Sequence, residues 1–213
     1  MSVSIRQAPG EGVSERQWVR RAELLEAARR VFEKGGYHAA TVSAIVQAAG
    51  LSQGAFYLYF ADKKAVFAAL QEEMATLLRR RVYWATRDER APAPRLEAGL
   101  RSYFEFYQEY SEWNRRLLTE GLGIDSSFES RQASLNRTLV QAFESTLGEL
   151  GAADPVVAGF ALIGMAQQLA YAQRFDPAGL PQTPIALAQA CARLFCQGAA
   201  TQEAASQKGE NHA

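Results

Sequence analysis

Histidine and cysteine are nearly missing from this 213-residue chain, with two of each. A catalytic triad, a zinc site or a disulfide framework needs more of these side chains, or better-spaced ones, than His38, His212, Cys191 and Cys196 supply. The two cysteines lie five residues apart in one helical pattern and so point to different faces. Burial as small apolar side chains is the plain reading, and a redox-sensing pair is the alternative. Phosphate-binding glycine loops and nucleophile elbows are absent as well, and Gly121-Leu-Gly123 is too short to replace them. No uninterrupted apolar run approaches the roughly 18 residues of a membrane-spanning helix, and the polar stretch after Met1 has no apolar signal-peptide core. These absences predict a protein of the reducing cytoplasm with no membrane partner, no metal, no cofactor and no enzymatic activity. Net charge is missing too, since 23 Lys and Arg meet 23 Asp and Glu.

The zero hides an asymmetry. Residues 1–90 hold 14 basic against 10 acidic side chains, and residues 91–213 hold 9 against 13. One end is therefore the better match for a polyanion. A hydrophobic content of 48% allows a sizeable core. Strand patterns are lacking, whereas helical spacing recurs almost throughout. Leu24, Leu25, Ala28, Val31 and Phe32 keep one face of a first helix that Gly35-Gly36 ends. Thr41 caps a second helix with the stripe Val42, Ile45, Val46, Ala49. Ser52 caps a short third helix, and Asp62 caps a long fourth that reaches about Asp88. After the break at Arg90-Ala-Pro-Ala-Pro94 come helices near 95–110, 112–120, 127–150, 154–174 and 183–197. The expected fold is all-α with about nine helices: a three-helix N-terminal head joined by the long fourth helix to a C-terminal bundle.

Helices two and three, joined at Gly50, have the spacing of a helix-turn-helix. Phe56 and Phe60 share a face with Leu51 and should anchor helix three, which leaves Gln53, Gly54, Ala55, Tyr57 and Tyr59 outward. Such a face suits a DNA groove. Small residues allow close approach, Gln can bond adenine, Ala can meet a thymine methyl, and tyrosine hydroxyls suit phosphates. Thr41 and Ser52 begin helices whose N–H groups favour anions. Lys63 opens helix four, where a cation opposes the helix dipole, and this points to an anion outside the fold. A plain three-helix head with solvent-facing tyrosines is the alternative.

The block Thr41-Val-Ser-Ala-Ile-Val-Gln-Ala-Ala-Gly-Leu-Ser-Gln-Gly-Ala-Phe-Tyr-Leu-Tyr-Phe-Ala-Asp-Lys-Lys-Ala-Val-Phe67 resembles the N-terminal signature of the tetracycline-repressor (TetR) family. The first helix from Leu24 to Tyr37 is similar too, so the resemblance covers about residues 18–70. It implies an all-α homodimer, most often a repressor, that binds a double-stranded DNA operator and is released by a small-molecule effector. By that resemblance Thr41, Ser52, Gln53, Ala55, Tyr57, Tyr59 and Lys63 match positions that commonly meet DNA. Two residues depart from the pattern: Gln53 stands where a cation is frequent, and Ala55 where Thr is frequent. The domain organisation expected is a flexible arm at 1–14, a DNA-binding domain at 15–62, a ligand-binding and dimerisation domain at 63–197 and a disordered tail at 198–213.

The C-terminal region carries no such signature. Trp84, Phe104, Tyr107, Trp113 and Phe128 are candidates to line an apolar pocket for a hydrophobic or amphipathic effector, with core filling as the other reading. Helix four, running from Lys63 past Trp84, would then link that pocket to the head. The helices at 155–174 and 183–197 hold more apolar surface than one bundle needs, so Phe160, Gly164 and Leu194 are candidates for a dimer interface. That pairing resembles the four-helix interface of the TetR family. A helix-turn-helix adaptor without a ligand pocket is the rival by class.

Overall fold

The computed structural model describes residues 15–117, 120, 126–176 and 178–210, with side chains omitted at 126, 127 and 198–210. The expected arm at 1–14, Gly121, Gly123 and His212 lie outside the described residues. Among the described residues the chain forms nine helices and no strand. They are α1 (Glu15–Ala39), α2 (Val42–Ala49), α3 (Gln53–Tyr57), α4 (Lys63–Thr86), α5 (Pro92–Glu109), α6 (Ser111–Arg116), α7 (Ser126–Glu149), α8 (Pro155–Phe175) and α9 (Pro184–Glu210).

The helix starts follow from side chains that satisfy free backbone N–H groups. Thr41 Oγ1 accepts from Ala44 N at 3.1 Å, Ser52 Oγ from Ala55 N at 3.2 Å and Asp62 Oδ1 from Ala65 N at 2.7 Å. Asp154 Oδ1 accepts from Val156 N and Val157 N, and Pro155 then fills the first helical position. At the other end of α2, Gly50 adopts φ 66° and ψ 30°, and Leu51 N donates back to Val46 O at 2.9 Å. The expected stop at Gly35-Gly36 is a kink: Gly36 has φ 77° and ψ 172°, and one further turn follows.

Two compact units divide the chain, the first Met1–Leu77 with Glu112–Ser130, the second Leu78–Ser111 with Arg131–Ala213. The division falls inside α4 and not at the 62/63 boundary expected from sequence. The reason is aromatic. Phe67 of α4 is 1% exposed. Its ring centroid lies 5.0 Å from those of Phe32 and Tyr37 and 5.2 Å from those of Trp113 and Phe128. One ring thus ties α1, α4, α6 and α7 of the first unit into a single core. In the second unit α5 packs on α8 and α9 through Leu96, Leu100, Leu162, Ile163, Leu187 and Ala188, all buried.

Pro155–Phe175, with a mean hydropathy of 1.3, is long and apolar enough to span a bilayer by length and composition alone. Searching for uninterrupted apolar runs missed it because glutamines punctuate its second half. α9 extends to Glu210, through most of the stretch expected as a tail from Gly198, and the Ala, Gln, Glu and Lys residues there are good helix formers.

Phe67→Ala removes the shared ring of the first core. It should destabilise the protein by about 3–5 kcal/mol in urea denaturation, and a loss under about 1 kcal/mol would mean that the core does not depend on that ring.

Candidate nucleic-acid interface

The α2–α3 corner is built by burying one side of each helix. Ile45 and Phe56 are fully buried and Phe60 nearly so, with Phe56 and Phe60 rings 5.8 Å apart. That fixes the roll of α3 and turns the rest of it outward. Gln53, Gly54, Tyr57 and Leu58 are exposed, while Ala55 and Tyr59 are half-buried. Thr41 and Ser52 are exposed at the two helix starts that they cap. Six of the eight residues expected to meet DNA therefore lie in one short segment, Ser52 to Tyr59, with Thr41 at the start of α2. Leu58 was missed. It is 80% exposed beside Tyr57 at 58%, and its spacing from Phe56 and Phe60 was the signal that it belongs to the outward face.

Lys63 is engaged by the backbone of the first unit. Its ammonium donates to Tyr37 O at 2.7 Å, Ala40 O at 3.0 Å and His38 O at 3.3 Å, and lies 4.4 Å from the centre of the Tyr37 ring. Those are the carbonyls that the α1 terminus cannot satisfy by itself. A cation at the start of α4 is thus explained from inside the fold, as the donor that closes the end of α1.

A second group works on the same terminus. Arg116 donates to the carbonyls of Glu33 and Lys34 and pairs with Glu120, whose Oε2 accepts from Tyr37 N at 2.7 Å. Gly36 is what admits this carboxylate, because a Cβ there would sit 2.4 Å from Glu120 Oε2. Burial pushes the Glu120 carboxyl up, but Arg116 and the Tyr37 N–H outweigh it and hold it below its ordinary range. Sequence reading missed Arg116 and Glu120 because they lie more than 80 residues from the carbonyls and N–H that they meet.

The five pocket candidates do not share a setting. Trp113 and Phe128 are buried against Phe67 in the first unit. In the second unit Phe104 is buried and Tyr107 stacks on Tyr103 at 4.5 Å, whereas Trp84 is 54% exposed with Arg87 over its ring. A groove of about 660 Å³ between α5 and α9 is lined by Glu97, Arg101, Gln189 and Cys196 among others, and by none of the five. Burial pushes the Cys191 thiol up to about 11, which leaves it unreactive at neutral pH. Among the interface candidates, Phe160 and Leu194 are exposed, and Gly164 has open space where its Cβ would be.

The family of bacterial regulatory proteins named tetR matches residues 24–70. The transcriptional repressor Rv1474c of Mycobacterium tuberculosis is 48% identical over 54 residues, 25% of this chain and 29% of that protein. The match thus spans under a third of that relative's length. Among solved structures, the fatty acid degradation regulator FadR of Bacillus halodurans superposes with a TM-score of 0.75 at 18% identity, covering 90% of this chain and 98% of its own. FadR of Bacillus subtilis, determined in complex with stearoyl-CoA, gives 0.73 at 17% identity, covering 83% and 97%. At such identities the likeness is one of fold.

Two measurements check the α1 terminus. Lys63→Met should cost about 1–3 kcal/mol of stability by stranding carbonyls bonded to a charged donor, whereas Tyr57→Ala, on the surface, should stay within about 0.5 kcal/mol. Because the folded Glu120 carboxyl is depressed, its contribution is present above the unfolded carboxyl range and lost as pH falls through the folded value. Stability against pH for Glu120→Gln should therefore show a flatter acid limb than the parent, and parallel curves would mean the link to Tyr37 carries no weight.

Proposed function

We propose that this chain, whose residues 24–70 match the family of bacterial regulatory proteins named tetR, is a cytoplasmic DNA-binding transcriptional repressor, released from a palindromic operator by a small hydrophobic or amphipathic ligand. The observation that carries this reading is the outward face of α3. Tyr57 and Leu58 are more than half exposed next to Gln53 and Gly54. Exposing two large side chains at a helix-turn-helix corner is costly in water and useful in a groove, where Gln53 and Ala55 read base edges and the tyrosines hold phosphates.

The working form is a homodimer. On α8 the residues Val157, Phe160, Gly164, Tyr171 and Phe175 form an exposed stripe at helical spacing, while Leu162, Ile163 and Ala166 are buried within the unit. A stripe of this kind, with Ile185 and Leu194 exposed on α9, suits the same stripe of a second copy. With one face already occupied inside the fold, α8 is better matched to a protein partner than to lipid on every side. Two copies place two recognition helices at half-sites about 34–36 Å apart or further. Effector and operator then compete through a coupling of about 1–3 kcal/mol, which is reciprocal.

Operator sites selected from random-sequence DNA provide the test. Tyr57→Ala should weaken specific binding by about 1–3 kcal/mol in fluorescence anisotropy, and parental affinity in that variant would move the reading face elsewhere. Phe160→Glu should sediment as monomer and lose cooperative operator binding; a parent that is already monomeric at micromolar concentration rules the dimer out.

A further inference from the structure

Many arginines of this chain find a carboxylate on their own helix. Arg20 pairs with Glu23, Arg115 with Glu112 and Arg116 with Glu120, each three or four residues away. The groove between α5 and α9, which lies wholly within the second unit, departs from that habit. Four charged side chains line it: Glu89 ahead of α5, Glu97 and Arg101 on α5, and Arg193 on α9. Three and four positions either side of Arg193 stand Gln189, Ala190, Cys196 and Gln197, so its own helix offers it no acid. Among the described residues neither Arg193 nor Glu89 makes an ion pair, although both border one groove. Arg101 reaches Glu105 only at 3.9 Å, and Glu97 accepts from Gln189 Nε2 at 3.1 Å, a bond that brings no opposite charge.

Between these charges the lining is small and apolar. Ala93 and Ala98 of α5 and Ala192 of α9 stand where longer side chains would fill the space. At about 660 Å³ the groove is of a size that holds a small organic ligand. Two positive and two negative groups give no net preference for an anion or for a cation, because either meets repulsion along with attraction. A molecule that carries both charges escapes this, and an aliphatic stretch between them matches the alanines. The lined part of α5, from Ala93 to Arg101, is about two turns or roughly 12 Å long, which favours charges set apart over charges on one carbon. We propose that the α5–α9 groove binds a zwitterion whose ammonium and carboxylate are separated by an aliphatic chain, Glu89 receiving the ammonium and Arg193 the carboxylate. This goes beyond the function proposed above, since the site shares no residue with the aromatic candidates and needs no operator.

The groove contains its own reporter. Cys196 lines it and is half-buried, whereas Cys191 is buried with its thiol pushed up to about 11, so maleimide labelling at neutral pH reads Cys196. The full-length chain is labelled, and titrated calorimetrically, with 8-aminooctanoate, octanoate, octan-1-amine and glycine. The long amino acid should slow labelling and bind tightest, by about threefold to fivefold over each singly charged relative, the factor that a solvent-facing ion pair supplies. Arg193→Gln should erase its advantage over the amine and keep that over the acid, and Glu89→Gln should do the reverse. Both side chains are exposed, so the melting temperature should hold in both variants. Ala98→Phe, which fills the groove and leaves all four charges, should abolish binding. No binding of the amino acid, equal affinity for its singly charged relatives or for glycine, unchanged selectivity in both charge variants, or binding without protection of Cys196 overturns the site. Labelling that slows as the protein alone is concentrated assigns the groove to a second copy and overturns it too.

Discussion

At the end of α1 the chain turns through Gly36 and leaves carbonyls from Glu33 to Ala40 without a full set of helical donors. Backbone oxygens in that state are expensive, and the first unit is organised around supplying their partners. Lys63 comes from the start of α4, Arg116 from α6, and Glu120 reaches back to the one N–H that faces the other way. The spacing of these donors fixes where α4 begins relative to α1, and hence the length of chain left for α2 and α3. Phe67, one turn beyond Lys63, then closes the aromatic core from the same helix.

Much of this was readable in the sequence where the determining contacts are local. Caps at Thr41, Ser52 and Asp62, the break at Gly50 and the buried pair Phe56 and Phe60 are all decided within four residues, and the periodicity that exposes Gln53, Gly54 and Tyr57 is equally local. What a local reading leaves out is whatever depends on a distant partner. Lys63 looked like a cation against its own dipole because the carbonyls that it serves belong to another helix. Trp113 and Phe128 looked like companions of Trp84 and Phe104 because aromatics cluster along that stretch of chain, yet they pack on Phe67. Arg116 and Glu120 gave no signal at all, since a single arginine and glutamate four apart read as a solvated helical pair.

The second unit shows the same limit from another side. Aromatic residues are conspicuous in a sequence and invite a pocket to be drawn around them. Glutamine and asparagine inside a helix pattern attract no notice, although two glutamines meeting one asparagine across α7 and α8 are the more specific arrangement. Half-buried amides cost energy unless paired, and here they pair across two helices.

One property of the α2–α3 corner reaches beyond geometry. From Thr41 to Ala61 the chain contains no charged residue, and the lysine that follows is engaged by backbone oxygens. Nucleic-acid affinity that rests on cations is won by displacing counterions from phosphates and declines steeply as salt is added. A reading element made of amide, hydroxyl and apolar groups displaces few. Under the proposed function, such an element would discriminate between sequences through contacts that ionic strength barely touches, so the ratio of specific to non-specific occupancy would vary little with the salt content of the cell.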